Sequence, residues 1–144
     1  MLLGTASYNK VAVQTADQKT LILLCYDEAI RSLQSGKECF LKKEYEEKFN
    51  WFTRAQDFVS ELAAGLNMEA GGKIAQNLRA IYDFVIKGIT RADLKMDFRL
   101  LDQLIAILSE LRSAWAEMDN RQVAVGLTGQ VYAPPPPVVR GIAV

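Results

Sequence analysis

The chain contains no histidine. That removes the commonest general base and the commonest metal ligand. It also excludes a Ser-His or Cys-His nucleophile and the Glu-x-x-His signature of di-metal helical bundles. No cofactor, no metal and no enzymatic activity are expected. Cysteine is scarce: Cys25 and Cys39 stand fourteen residues apart in what reads as one helix. At ~1.5 Å rise per residue they are about 21 Å apart, whereas a disulfide needs Cα atoms within about 7 Å. Two free thiols follow, in keeping with a reducing compartment, and Cys25 reads as a small core residue. Long hydrophobic runs are missing too. The longest is "LILLC", extended by Tyr26, far short of the ~20 residues of a membrane span, so no membrane insertion is expected. "MLLGTASYNK" lacks the basic start and long apolar run of a secretory signal, and a cytoplasmic location is expected. No charge of one sign predominates, since 17 Lys and Arg face 17 Asp and Glu. That gives no electrostatic footprint for nucleic acid and no polybasic membrane signal.

What is present is helical periodicity. Residues 1–16 form a short N-terminal leader without strong pattern. Thr15 or Asp17 then opens the first helix as a cap, with Leu21, Ile22, Cys25, Tyr26, Ala29, Ile30, Leu33 and Phe40 at i, i+3, i+4, i+7 spacing. Gly36 weakens that helix without ending it. The second stripe is Phe49, Phe52, Val59, Leu62 and Leu66, closed by Gly65 and Asn67. The third is Ile74, Leu78, Ile81, Tyr82, Val85 and Ile89. The fourth, with Asp97 as its cap, is Leu101, Leu104, Ile105, Leu108, Leu111 and Trp115. Helices over about 17–43, 46–66, 69–92 and 96–118, joined by short connections, must alternate in direction. The expected fold is all-α: an antiparallel up-down four-helix bundle over 17–118. The tail, 119–144, carries all four prolines at 134–137. It reads either as a loose extension or as a segment that docks on a partner or back on the bundle.

The paired Gly71 and Gly72 sit where the third helix begins. Asn67 is the expected cap and Glu69 suits a positive first turn. Close approach of another backbone at a bundle corner is the favoured reason for the glycines, a positive-φ turn the other.

The helices carry more apolar surface than a bundle stripe of roughly three positions in seven requires. Trp51, Ala55, Phe58 and Leu62 form a second line on the second helix. Phe84 sits off the Ile81–Val85 line, Leu100 and Ile107 are seven apart on the fourth helix, and Leu23 and Leu24 stand beside Ile22. Two accounts fit: wide faces buried in a tight bundle, or an outer groove shaped for an amphipathic partner helix. Under the second, the partner-binding residues are Leu23, Leu24, Trp51, Ala55, Phe58, Phe84, Leu100 and Ile107. The mixed charges of Lys42, Lys43, Glu44, Glu46, Glu47 and Lys48 read as a solvated face. Asp27, Glu28, Asp83 and Asp93 show no pairing pattern that would shift a pKa.

Four segments together carry a resemblance. "YNKVAVQTA" is similar to Y-x-x-x-x-V-x-T-A, with Tyr8, Val13, Thr15 and Ala16 in place. "LILLCYDEAI" is similar to L-I-x-x-L-Y-D-G-A-I. "ELAAGLNMEAGGKIAQNLRAIYDF" is similar to E-L-x-x-x-L-D-x-E-x-G-G-x-I-A-x-N-L-x-x-L-Y-D-[YF], and "LRSAW" to L-R-x-A-W. In this order and spacing, over about three quarters of the chain, the sequence resembles the flagellin-specific export chaperones of the FliS family. Glu28 departs from the pattern, standing where the family often has Gly, and the tail lies outside it. The resemblance implies a cytoplasmic chaperone that binds the C-terminal segment of flagellin, covers its polymerising surface and delivers it to the flagellar export apparatus. A component of the export gate is the implied second partner. Tyr8 is the residue the resemblance assigns to a leader that covers the empty groove and meets the gate; packing on the bundle end is the other reading. The alternative function is a non-enzymatic helical adaptor for a different amphipathic segment.

Overall fold

The computed structural model describes residues 18–118. The leader with Tyr8, the expected caps Thr15 and Asp17, and the tail lie outside the described residues. Four helices account for the rest: α1 Gln18–Leu41, α2 Tyr45–Ala64, α3 Gly72–Lys95 and α4 Phe98–Glu117. Each boundary falls within three residues of its expected position, and no strand occurs among the described residues. None of these helices is long and apolar enough to cross a membrane.

Side-chain pairs fix the antiparallel order. Lys19 Nζ donates to Met118 O, Arg112 to Asp27, and Lys37 to Asp102, so contacts that climb α1 descend α4. Lys48 pairs with Asp93, and Gln56 Nε2 donates to Ile86 O and Thr90 Oγ1, which sets α2 against α3 in the same sense. Gly36 meets Trp51 and Phe52 between α1 and α2, and Gly88 meets Leu104 between α3 and α4. The result is a cycle in which each helix packs on its two chain neighbours and α1 closes against α4.

Glycine at 36 is required by that packing. A Cβ there lies 2.5 Å from two Phe52 ring carbons, well inside contact distance, yet α1 runs straight through the position. The core is otherwise large side chains at helical spacing: Tyr26 and Leu33 from α1, Phe52 and Val59 from α2, Tyr82 and Ile89 from α3, Leu101, Leu104, Leu108 and Trp115 from α4. Two expected stripe residues are exposed. Phe49 is 60% exposed and Ile74 48% exposed, while Phe52 and Ala75 on the same opening turns point into the core. The absent residue of the α2 stripe is Ala55, which completes Phe52–Ala55–Val59–Leu62 in the core.

The helix ends decide between the readings of the paired glycines. Gly72 has φ +59° and nothing within 4 Å of where its Cβ would be, so close approach is wrong at this position and the left-handed turn is right. Gly71 is buried with ordinary φ −77°. Asn67 does not cap α3; its Oδ1 accepts from Ala70 N and so closes the preceding turn. Glu69 lies ahead of the first helical turn, which carries no acid. Asp97 does cap α4, accepting from Leu100 N at 3.0 Å. Because the left-handed conformation disfavours a Cβ by about 1–2 kcal/mol, Gly72→Ala is expected to lower stability by that amount despite the open space around it. Denaturant unfolding measures it, and an unchanged midpoint contradicts the assignment.

Candidate functional site

Inside the bundle, towards the end where α1 starts and α4 stops, three side chains from three helices share two hydrogen bonds. Trp115 Nε1 donates to Tyr26 Oη at 3.0 Å, and the Tyr26 and Tyr82 hydroxyls lie 2.6 Å apart. All three are buried, and every polar atom of the trio has a partner, as buried polar groups require. This trio fixes α1, α3 and α4 to one another and has no access to solvent. It is the platform for the outer surface and not itself a binding site.

Burial also sets the ionisation of this centre. Desolvation pushes the Cys25 thiol and the Tyr82 phenol each up to about 12, and raises Tyr26 further. Cys25 is thus a neutral apolar group in the core. In the unfolded chain these groups ionise near 9 to 10, so it sheds protons in a range where the native state holds them. Stability is therefore complete below about pH 9 and falls as pH rises from about 9 towards 12. Unfolding midpoints at pH 8 and pH 11 are expected to show that drop, and the double variant Tyr26→Phe, Tyr82→Phe a shallower one. A pH-independent midpoint contradicts it.

The outer residues divide between two faces. Between α3 and α4 an open groove of about 460 Å³ is lined by Ala80, Ile81, Phe84, Ile107, Glu110 and Leu111. Phe84 stands over it 53% exposed, while Ile81, Ile107 and Leu111 are half-buried against the core. Phe84 and Ile107, separate features in the sequence, thus meet in one site. Leu100 is half-buried on the same helix, packed on the core.

The second face joins α1 and α2. Leu24 is 48% exposed, and Leu23 is half-buried against the core. Trp51 and Phe58 do not stand open. The Arg31 guanidinium lies 5.2 Å over the Trp51 ring, and that of Arg54 lies 5.3 Å over Phe58. Glu28 Oε1 accepts from both arginines, at 2.6 and 3.1 Å. The Arg31 hydrogen bond is the largest cause that holds the Glu28 carboxyl below its ordinary range. Glu28 and Asp27 are thus paired after all: Arg31 stands at i+3 from Glu28 on the same helix, while Arg54 and Arg112 come from other helices and leave no trace in local spacing. Ala55 is 0% exposed and belongs to the core, not to a groove.

A third apolar region was not evident from the stripes. Leu41, Tyr45, Phe49, Leu94 and Met96 are exposed, and the topology gathers them at the end of the bundle where α1 and α3 stop and α2 and α4 start. Lys48 belongs to this end: it is half-buried, pairs with Asp93 at 2.6 Å and lies 4.7 Å over the Phe40 ring, not on a solvated face. Leu41 ends α1, Tyr45 and Phe49 open α2, and Leu94 and Met96 stand at the end of α3, so only the fold brings the α1–α2 group to the α3 group.

A closed helical core with an open apolar groove on its outside defines a class, the all-α four-helix bundle. The chain belongs to the family described as Flagellar protein FliS, whose model matches residues 3–122. It is 34% identical over 116 residues to the flagellar secretion chaperone FliS of Vibrio cholerae, covering 78% of this chain and 85% of that protein. It is 29% identical over 123 residues to the flagellar secretion chaperone FliS of Salmonella typhimurium, covering 82% and 91%. The flagellar secretion chaperone FliSB of Pseudomonas aeruginosa is 27% identical over 112 residues, covering 75% and 89%.

Proposed function

We propose that this protein is a cytoplasmic flagellar export chaperone that holds the C-terminal segment of flagellin on its outer apolar surface. The supporting observation is the open α3–α4 groove on a member of this family, with a half-exposed phenylalanine standing over it. An amphipathic helix laid there covers Phe84, Ile81, Ile107 and Leu111 with its own apolar residues. The α1–α2 face, with Leu24 and the arginine-covered Trp51 and Phe58, is a second, separate surface for a longer client that wraps the bundle. The chaperone so covers the segment through which flagellin polymerises and carries the subunit to the export apparatus. No chemical step is involved.

Seeded polymerisation of flagellin, followed by light scattering, tests this. The full chain at equimolar concentration is expected to hold scattering near its starting value. Filament growth at an unchanged rate in several-fold excess of the chain contradicts the proposal.

A further inference from the structure

We propose that the α3–α4 groove takes an amphipathic helical segment in one orientation, with carboxylates at one end of the segment lying over Lys87, Arg91, Lys95 and Arg99. The inference rests on the reading that this groove holds a helix, and adds the chemistry that helix carries. Ala80 and Phe84 line the groove on α3, and Lys87 and Arg91 stand seven residues further on, two turns along the same line. Ile107 and Glu110 line it on α4, and Leu100 and Gln103 stand seven residues before them. The packing of Gly88 on Leu104 sets these two stretches across from each other. The walls therefore continue towards the end where α3 stops and α4 starts, with half-buried Leu100 in the line. Lys95 and Arg99 stand at that end.

Charge divides along this line. Lys87, Arg91, Lys95 and Arg99 are all exposed. Among the described residues, no carboxylate pairs with any of them. The acids of this corner are turned elsewhere. Asp93 pairs with Lys48 at 2.6 Å, Asp102 with Lys37 at 2.8 Å, and Asp97 accepts from Leu100 N as the cap of α4. Asp83 lies 3.7 Å from Arg79, one turn back along α3. The described residues thus leave these cations without a counter-charge beside a run of apolar wall. The other end of the groove is mixed in sign: Lys73 opens α3, while Glu110 and Glu117 stand on α4. In a chain whose formal charges balance, the first end is a local excess of one sign. Apolar contact along Phe84 and Ile107 is indifferent to the direction of a bound helix. Charge at one end is not: it favours carboxylates there and disfavours a segment that brings lysines.

Calorimetric titration of the full chain with two synthetic helices tests this without flagellin. Both carry the same leucine stripe; one ends in three glutamates, and the other has glutamine in their place. The glutamate helix is expected to bind about tenfold tighter at low salt, the size of two or three exposed ion pairs, and the preference to shrink as salt is raised. Arg91→Glu with Lys95→Glu is expected to remove the preference and keep the binding of the glutamine helix, since both side chains are exposed. A nitroxide on the glutamate end is expected to broaden the methyl signals of Leu100 more than those of Leu111, about 16 Å away along α4. Equal affinity for the two helices, a preference that survives the double variant, or stronger broadening at Leu111 overturns the proposal and leaves the groove a binding site. Binding of neither helix, or binding that Phe84→Asp does not weaken, overturns the groove reading and the proposal with it. A dimer of the chain that the glutamate helix disperses overturns the proposal too, since the groove then belongs to a second copy.

Discussion

Trp115→Ala is expected to destabilise the bundle by about 3–5 kcal/mol, the usual range for removing a buried Trp ring. The ring is buried where α1, α3 and α4 converge, and its Nε1 supplies the hydrogen bond to Tyr26 Oη. Truncation opens a cavity and takes one partner from a buried hydroxyl, and both effects act in the same direction. Against a typical total of roughly 5–15 kcal/mol the variant is marginal. Trp115→Phe keeps most of the volume and loses only the N–H; it is expected to lie between the two, about 1–2 kcal/mol below the unmodified chain. Urea unfolding followed by far-UV circular dichroism measures both. A loss under 1 kcal/mol for the alanine variant shows that the trio does not hold the helices together.

Phe84→Asp is expected to separate binding from folding. The side chain is 53% exposed and lines the α3–α4 groove, so its replacement leaves the core intact and changes stability by about 0.5 kcal/mol or less. In a complex it puts an unpaired carboxylate under an apolar client. A loss of about 2–3 kcal/mol of binding, roughly 30- to 150-fold in affinity, is the expected size for such a central residue. Affinity by titration and stability by thermal unfolding, on the same preparation, check it. Equal losses in both place Phe84 in the fold and not at the partner.

The helices were legible because every one carries a 3.6-residue apolar stripe. Within the stripes, Phe52, Val59 and Leu62 were identifiable as core, and so was Ala55 on its i+3 and i+4 neighbours. Its small size drew it into the Trp51–Phe58 line instead, although small residues are what allow helices to pack closely. Phe49 and Ile74 fit the period yet stand exposed, because the period fixes spacing around a helix and not which part of a wide apolar arc the neighbouring helices cover. Gly72 could be narrowed only to two backbone reasons, since sequence does not report φ. The Tyr26–Tyr82–Trp115 trio, the Glu28–Arg54 and Asp27–Arg112 pairs and the exposed end formed by Leu41, Tyr45, Phe49, Leu94 and Met96 all join residues of different helices. Spacing within one helix carries no information about them. The meeting of Phe84 and Ile107 was hidden for the same reason, though each was marked by lying off its own stripe.

The trio explains three of the recurring positions in the resemblance. Tyr26, Tyr82 and Trp115 come from three separate motif segments and meet at one point in the core. Much of what makes the chain recognisable is therefore architecture, while the surface that meets a partner is written in single off-stripe residues.

Calorimetric titration of the full chain with a peptide from the C-terminal segment of flagellin tests the central claim most directly. A saturable one-to-one isotherm with a micromolar or tighter dissociation constant is expected, with a negative heat-capacity change from burial of apolar surface. The absence of any binding heat at micromolar concentrations, with the chain shown to be folded in the same buffer, contradicts it.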